Sequence, residues 1–203
     1  MVKGKFIVFE GIDGCGKDTQ IKLLKEQLEN NGKEVVLYSN IDHGPLKDVC
    51  RSLLEPGNPN FVSSYHLSIL VLTNMVITHK HIKDDLLAGK TVLCSRWYLS
   101  SLAYGGRKSD IEYDTIKSYI KTLNIDPDLF VYISTDPNIA LSRITSRDET
   151  NERYDTIDKL NNIRNCYSKA ISEQLSPSVI VDGNGPINDV FQEILSYLYF
   201  IDR

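Results

Sequence analysis

The sequence predicts an α/β fold, a five-stranded parallel sheet with helices on both of its faces. Short apolar runs without polar interruption are typical of strands that are buried on both sides. Longer stretches with helical spacing lie between these runs, and alternation of this kind favours a parallel sheet covered by helices. The five runs are Phe6–Phe9, Val35–Tyr38, Val92–Cys94, Leu129–Ile133 and Val179–Val181.

The helical stretches are recognised by apolar residues that recur every three or four positions. Ile21, Leu24 and Leu28 follow the first run with this spacing and stop at a turn that contains Gly32. Such spacing places the apolar side chains on one face of a helix. The final stretch closes the chain with Ile187, Val190, Phe191, Ile194 and Leu198.

Composition limits the function classes. A chain of 203 residues with 41% apolar and 25% charged residues has the balance of one globular domain. The net charge of −4 argues against binding a nucleic acid polymer or a membrane through bulk positive charge, but it allows a small anionic ligand. The apolar stretch Ile69–Ile77 is too short and too interrupted to span a bilayer.

The cysteines and the start of the chain indicate a reducing compartment. The four cysteines lie far apart, which is unlike a disulfide framework or a zinc site. The segment Met1–Phe6 lacks the apolar core of a signal peptide. We therefore expect a cytoplasmic or otherwise intracellular protein.

The segment Gly11–Lys17 fits the phosphate-binding pattern G-x-x-x-x-G-K, directly after the first strand and before the first helix. Its backbone N–H groups would surround phosphates, and Lys17 would reach the β- and γ-phosphates of a nucleotide. The residue after the lysine is usually Ser or Thr, whose hydroxyl ligates Mg²⁺. Here it is Asp18, followed by Thr19. A carboxylate binds Mg²⁺ but adds negative charge, so we expect Mg²⁺ to be required.

Two blocks of the sequence resemble the thymidylate kinase family. Phe6–Gln20 is similar to F-E-G-x-D-G-x-G-K-[ST]-T-Q, and Ser95–Gly106 is similar to D-R-Y-x-x-S-x-x-A-Y-Q-G. Weaker similarity covers Pro45–Leu54, Glu152–Asp155 and Asp182–Gly183. The resemblance implies a P-loop kinase fold, with residues 1–203 as one domain and a short lid at about 143–154. The polar segment 143–154 could equally be an ordinary solvated loop.

The resemblance also implies a reaction and a partner. The protein would transfer the γ-phosphoryl group of ATP to a deoxynucleoside monophosphate, most simply dTMP to give dTDP, with Mg²⁺. Family members are mostly homodimers that pair through helices on one face, and the apolar helix Leu67–Ile77 could serve here.

By the same resemblance, ATP would contact the phosphate loop and its neighbours. These residues are Gly11, Ile12, Asp13, Gly14, Cys15, Gly16, Lys17, Asp18 and Thr19, together with Arg143 and Asp182. Catalysis would rest on Lys17, Asp13, Arg96 and a lid arginine.

The acceptor nucleotide would contact the second block. Arg96 would bind the acceptor phosphate at the end of the third strand, or it could form a structural ion pair. The ring of Tyr104 would flank the sugar and exclude a ribose 2′-OH, or it could be a core residue. Ser100 and Ser101 would lie nearby, although serines after a strand often cap a helix.

Two departures from the family concern the donor side. The aspartate of D-R-Y is Ser95 here, while the hydroxyl of the phosphate loop is Asp18, which suggests that carboxylate and hydroxyl have exchanged places at the metal. In addition, Cys15 stands where some members carry a basic residue. Members without it supply lid arginines, so Arg147 would stabilise the transferring phosphoryl group with help from Arg143 and Arg153.

Two further departures concern the acceptor. In the family an aromatic residue and an arginine contact the base; counted along this chain, the aromatic falls at Leu70 or a neighbour and the arginine at Asn74 or Met75. Asn74 would make two directed hydrogen bonds to a base, or it could be a buried helix position. In the acidic loop after the second strand, Asp42 would supply a carboxylate near the acceptor phosphate, and His43 could be a turn residue.

Two alternatives stay open at this point. One is a kinase for another deoxynucleotide or for a deoxynucleoside. The other is a P-loop protein that binds nucleotide without turnover, for which the unusual Asp18 and Ser95 would be an argument.

Overall fold

The computed structural model describes residues 3–55, 58–60, 62–146, 156–173 and 176–198. Within these ranges, strands and helices alternate along the chain. In order they are β1 (Phe6–Glu10), α1 (Lys17–Asn30), β2 (Val35–Ser39), α2 (Lys47–Leu54), α3 (Ser64–Leu87), β3 (Thr91–Ser95), α4 (Tyr98–Gly105), α5 (Asp110–Leu123), β4 (Leu129–Ser134), α6 (Pro137–Thr145), α7 (Ile157–Ser172), β5 (Ser178–Asp182) and α8 (Ile187–Leu198).

The strands form one parallel sheet in the order β2-β3-β1-β4-β5, which confirms the predicted α/β fold. Each of the five apolar runs lies within one strand. β1 is central and buried along its whole length. Because Phe9 pairs with Ser95, the loops after β1 and β3 leave the same edge of the sheet side by side. Ligands of open α/β sheets bind at this edge.

Helices cover both faces of the sheet. α1 packs against α8 and strands β2 and β3, while α4 packs between α3, α5 and α7. The largest fully buried side chains include Trp97 and Tyr98 around the start of α4, and Tyr113 and Tyr167 on α5 and α7. The helix that follows β3 is therefore embedded in the core, which fixes the position of the residues just before it.

The helix starts differ in how their first N–H groups are satisfied. Ser63, Ser109 and Asp136 each accept a hydrogen bond from a backbone N–H of the helix that follows, the usual N-cap arrangement. α1 instead starts after Gly16, with no side-chain cap. Its N-terminal amides are thus available to an anion.

The predicted lid begins inside a helix. Residues 143–145 form the last turn of α6, and residues 147–154, which include Arg147 and Arg153, lie outside the described residues. All four cysteines are free. Across the described ranges, no helix has the length and apolarity needed to cross a membrane.

Candidate active site

The phosphate loop has a backbone that only glycine adopts readily. Gly14 and Gly16 have φ values of 77° and 95°. A Cβ on Gly14 would lie 2.3 Å from the carbonyl oxygen of Ala140, whereas one on Gly16 would meet nothing within 4 Å. The loop is therefore packed against α6 on one side and open on the other. Lys17, the first residue of α1, is 8% exposed.

A cavity of about 450 Å³ opens beside this loop at the carboxyl edge of the sheet. Its walls come from the phosphate loop, the loop after β2, helix α2, one face of α3, the end of β3 and helix α4. A cavity of this size is large enough for a small organic ligand. Among the predicted residues, its wall includes Asp13, Gly14, Lys17, Asp18, Asp42, Ser95, Arg96, Ser100, Ser101 and Tyr104.

Asp18 and Ser95 contact each other across this cavity. The Ser95 hydroxyl donates a 3.0 Å hydrogen bond to Oδ1 of Asp18. Oδ2 of Asp18 lies 3.9 Å from the ammonium of Lys17, and the Asp18 side chain is 66% exposed. The two oxygen-bearing groups predicted to exchange roles thus share one location, next to the lysine of the phosphate loop.

The side chain of Arg96 turns back toward the phosphate loop. It is 12% exposed and forms an ion pair with Asp13. Its Nη1 donates to the carbonyl of Gly11 at 2.6 Å and to the hydroxyl of Tyr167 at 3.1 Å. The Arg96 backbone has a φ of 65°, a left-handed conformation that is uncommon outside glycine. Arg96 therefore follows β3 directly and joins the residue after β1 to helix α7.

Asp13 connects this arginine to Tyr104. The Tyr104 hydroxyl donates a 2.8 Å hydrogen bond to Oδ2 of Asp13, and the Arg96 guanidinium lies 5.0 Å from the centre of the Tyr104 ring. Burial would raise the pKa of Asp13, but the charges of Arg96 and Lys17 and the Tyr104 hydrogen bond hold it below its ordinary value. Asp13 is therefore a stable negative charge on the cavity wall.

Sequence reasoning missed two residues of this cluster, Glu10 and Tyr167. The Glu10 carboxylate is fully buried and accepts hydrogen bonds from Trp97 N, from Ser100 and from the Tyr167 hydroxyl. Glu10 lies within the first family block. It is the one charged residue of β1, at the end of an otherwise apolar strand, and this pattern could have indicated a functional role. Tyr167 carried no such signal, because its helix has ordinary apolar spacing.

The loop after β2 carries Asp42 on the cavity wall. Asp42 pairs with Arg51 of α2, which also lines the cavity and was given no role from the sequence. Burial would raise the pKa of Asp42, but the hydrogen bonds from Arg51 and Ser39 hold it below its ordinary value. His43 Nδ1 accepts a 3.0 Å hydrogen bond from Ser39 N, which is the role of a turn residue suggested from the sequence.

The structure corrects the placement of Asn74. Its amide donates to the carbonyls of His43 at 2.6 Å and Asn40 at 3.3 Å, and it accepts from Leu46 N at 3.0 Å. Asn74 is fully buried and is not part of the cavity wall. Its amide groups hold the loop after β2, so Asn74 is the buried helix position of its alternative interpretation and is not placed to read a base.

Leu70, the other residue predicted to contact the base, is half-buried and is absent from the cavity wall. The wall contains Ser64, Leu67, Ser68 and Val71, which share one helix face, while Leu70 lies outside it. The contact between Leu70 and the base therefore stays a prediction.

Ser101 has an unsatisfied hydroxyl. It is 3% exposed, lines the cavity, and finds no hydrogen-bond partner within the part of the chain that the structure describes. A buried hydroxyl without a partner is costly, and a ligand in the cavity could supply the bond. Ser100, by contrast, is committed to Glu10 through its hydroxyl at 2.5 Å.

Arg143 and Asp182, which were predicted to contact ATP, lie outside the cavity wall. Arg143 of α6 donates a 3.0 Å hydrogen bond to the carbonyl of Gly183, so it meets the loop that follows β5. Asp182 is exposed and accepts from the backbone and side-chain nitrogens of Asn184. Ile12 and Cys15 are buried beneath the phosphate loop, and Thr19 is half-buried on α1.

A phosphate loop that leads from the central strand into a helix, in this strand order, defines the class of the protein as a P-loop kinase. The family model for thymidylate kinase matches residues 9–194. The chain is 33% identical to a thymidylate kinase of Thermosipho africanus over 94% of this chain and 96% of that one. It is 34% identical to the one from Buchnera aphidicola over 98% of each, and 32% identical to the one from Thermoanaerobacter sp. over 96% and 97%. The chain therefore belongs to the thymidylate kinase family.

Proposed function

We propose that this protein transfers the γ-phosphoryl group of ATP to the 5′-phosphate of dTMP and so forms dTDP. Similar proteins over nearly the whole chain are thymidylate kinases. The observation that carries the proposal is the position of Arg96, which lies on the wall of one cavity with Lys17 of the phosphate loop. A protein that only bound a nucleotide would need no second buried cation facing its phosphates.

The residues of the cavity divide the work of phosphoryl transfer, which requires positioning and charge neutralisation more than covalent chemistry. The loop amides, the start of α1 and Lys17 hold the donor phosphates. Arg96 holds the acceptor phosphate, and the Asp13 carboxylate keeps that arginine in place. Arg147 and Arg153 stay predictions, because they lie outside the described residues.

Asp18 and Ser95 suit a magnesium ion. Carboxylate and hydroxyl oxygens are hard ligands, and Mg²⁺ is commonly held by one or two protein groups together with substrate phosphates. The two oxygens lie 3.0 Å apart beside the phosphate loop, and no group of three or more acids, histidines or cysteines suited to a metal occurs among the described residues. We propose that Asp18 and Ser95 would hold the ion, which neutralises phosphate charge when bound.

The base of the acceptor would lie at the end of the cavity away from Lys17. Leu67 and Val71 provide apolar contact there, and Ser68 and Ser101 provide hydroxyls. A hydroxyl can donate or accept a hydrogen bond, so the unpartnered hydroxyl of Ser101 is suited to a polar edge of the base. Tyr104, fixed by its bond to Asp13, would lie beside the sugar.

We also propose a homodimer through the outward face of α3. Val76 and Ile77 are 40% and 42% exposed on this face, and Ile69 is half-buried about two turns earlier. Sedimentation velocity should show a dimer for the wild type and a monomer for Val76→Asp. The control Ile111→Asp, at an exposed apolar residue of α5, should stay dimeric. A monomeric wild type would contradict the proposal.

The four free cysteines support an intracellular, reducing location, which we propose to be the cytoplasm.

The reaction is tested by a coupled assay of ATP turnover with dTMP, dUMP, dCMP, dGMP, dAMP or thymidine as acceptor. We expect the largest stimulation with dTMP. ATP binding without stimulation by any acceptor would indicate a binding protein. Stimulation by thymidine but not by dTMP would indicate a deoxynucleoside kinase.

A further inference from the structure

Glu10 is a buried carboxylate at the end of β1 that does not line the cavity. Oε1 accepts from Trp97 N at 2.8 Å and Ser100 N at 3.2 Å, while Oε2 accepts from the hydroxyls of Ser100 at 2.5 Å and Tyr167 at 2.9 Å. Burial raises the pKa of Glu10, and these hydrogen bonds together with the charge of Arg96 oppose that rise. A carboxylate in this position satisfies the first amides of α4 and does not face the substrate.

The backbone of Arg96 is held from both sides by β1. Arg96 N donates to the carbonyl of Phe9 at 2.9 Å, and the next amide, Trp97 N, donates to the side chain of Glu10. Between these two bonds the chain takes its left-handed turn at φ 65°. A non-glycine residue persists in this conformation when its surroundings over-determine it. Glu10 supplies that constraint directly beside the turn.

The side chain of Arg96 is held by the same group of residues. The Tyr167 hydroxyl accepts from Arg96 Nη1 and donates to Glu10, so it connects the guanidinium to the carboxylate. The bonds of Arg96 to Gly11, Tyr167 and Asp13 use both Nη1 hydrogens and one Nη2 hydrogen. Of the five N–H groups of arginine, the bonds among described residues leave Nε–H and one on Nη2. Both groups are charged donors that could bind a phosphate oxygen.

We infer that Glu10 and Tyr167 are positioning residues that hold Arg96 in the orientation in which it receives the acceptor phosphate. The inference rests on the proposed function, because it takes the acceptor to be a nucleoside monophosphate. Glu10 fixes the backbone turn and Tyr167 fixes the guanidinium, and neither touches the substrate. Both residues should therefore strengthen binding of the acceptor's phosphate and have no effect on binding of its sugar and base.

Tyr167→Phe tests the inference with the smallest change. The ring stays packed against Tyr104 and Tyr132, and only the hydroxyl is lost. We expect the KM for dTMP to rise about tenfold, as for loss of one hydrogen bond to a charged group, and the KM for ATP to change less than about twofold. The control is Tyr113→Phe, another buried tyrosine whose hydroxyl donates to a carboxylate, that of Glu173 at 3.0 Å, away from the cavity.

The sharper measurement compares the affinities for dTMP and thymidine by titration calorimetry, because the two ligands differ by the phosphate. Tyr167→Phe should weaken dTMP and leave thymidine unchanged, whereas Tyr113→Phe should change neither. Equal weakening of both ligands, or no change in dTMP, would overturn the inference. If wild-type protein bound dTMP no more tightly than thymidine, the proposed function itself would fail.

Glu10→Gln is the second variant. It keeps the shape of the side chain but places an amide NH₂ against groups that donate hydrogen bonds. We expect a larger loss of kcat/KM for dTMP than in Tyr167→Phe, of about thirtyfold or more, with ATP binding retained. A folded Glu10→Gln protein with wild-type kcat/KM for dTMP would overturn the role of Glu10.

Discussion

Arg96 and Asp18 border the same cavity but are held in opposite ways. The side chain of Arg96 is 12% exposed and has bonds to the phosphate loop and to α7. That of Asp18 is 66% exposed and has one 3.0 Å hydrogen bond from Ser95 and a 3.9 Å contact with Lys17. The end of the cavity that we propose for the acceptor is thus fixed by the protein itself, whereas the end proposed for the metal has few contacts of its own. Preorganised charge lowers the barrier most where it costs no rearrangement.

Among the variants that test this comparison, Arg96→Lys should cause the largest loss of activity. Lysine keeps the charge but cannot make the forked contacts to Gly11, Asp13 and Tyr167 at once. We expect kcat/KM for dTMP to fall about a thousandfold, of the order reported for loss of a fixed catalytic donor. Steady-state kinetics measure it, with Arg164→Lys on α7 as the control outside the cavity wall. A loss of less than tenfold would mean that the fixed geometry is unimportant.

Asp18→Ser should lower turnover about a hundredfold without lowering stability, because the side chain is exposed and weakly bonded. Adding Ser95→Asp should restore part of the activity, since it returns a carboxylate to the same location. The affinity for Mn²⁺ in the presence of ATP, measured by electron paramagnetic resonance, should fall and recover in parallel. The control Asp189→Ser removes an acid from the first turn of α8. A double variant as inactive as the single one would disprove the exchange.

Asp13→Asn should lower the stability of the protein by an amount that depends on pH. The pKa of Asp13 is lower in the folded protein than its ordinary value, so its ionised form stabilises the fold above that value, and this contribution is lost as pH falls through the folded pKa. Asp13→Asn should cost about 2 kcal/mol at pH 7. The difference should shrink below about pH 4. Urea unfolding between pH 7 and pH 3 measures it, with the exposed acid Asp48→Asn as control. A difference independent of pH would contradict this account.

Ser101→Ala should have the smallest effect of these variants, and it should keep or raise the stability of the free protein. The variant removes a buried hydroxyl that has no partner among the described residues, so the free protein should be as stable as wild type or up to about 1 kcal/mol more stable. The affinity for dTMP should nevertheless fall about threefold to tenfold. Thermal unfolding with and without dTMP separates the two effects, and Ser168→Ala on α7 is the exposed control. Unchanged affinity would remove Ser101 from the acceptor site.

The sequence predicted the sheet well and the interior of the site poorly, for a physical reason. Strands that are buried on both faces leave continuous apolar runs, so each predicted run lies inside an observed strand. The link between Glu10 and Tyr167 joins residues 157 positions apart. It depends on how α7 packs against α4, which no local pattern encodes.

The residues of α3 that would contact the base were equally hard to predict from the sequence. Asn74 was placed by counting along α3, but a count does not show that the loop after β2 covers this side chain. An asparagine amide also looks the same in sequence whether it reads a base or, as here, closes a loop through Asn40, His43 and Leu46.

The contact between Asp18 and Ser95 has an evolutionary consequence. Because one hydrogen bond joins the two side chains, a carboxylate can pass from one chain segment to the other in two single substitutions. Under the proposed metal role, the intermediate with two carboxylates would keep a charged ligand for Mg²⁺, and the one with two hydroxyls would lose it. The order of the two substitutions would then decide whether activity is kept throughout the exchange.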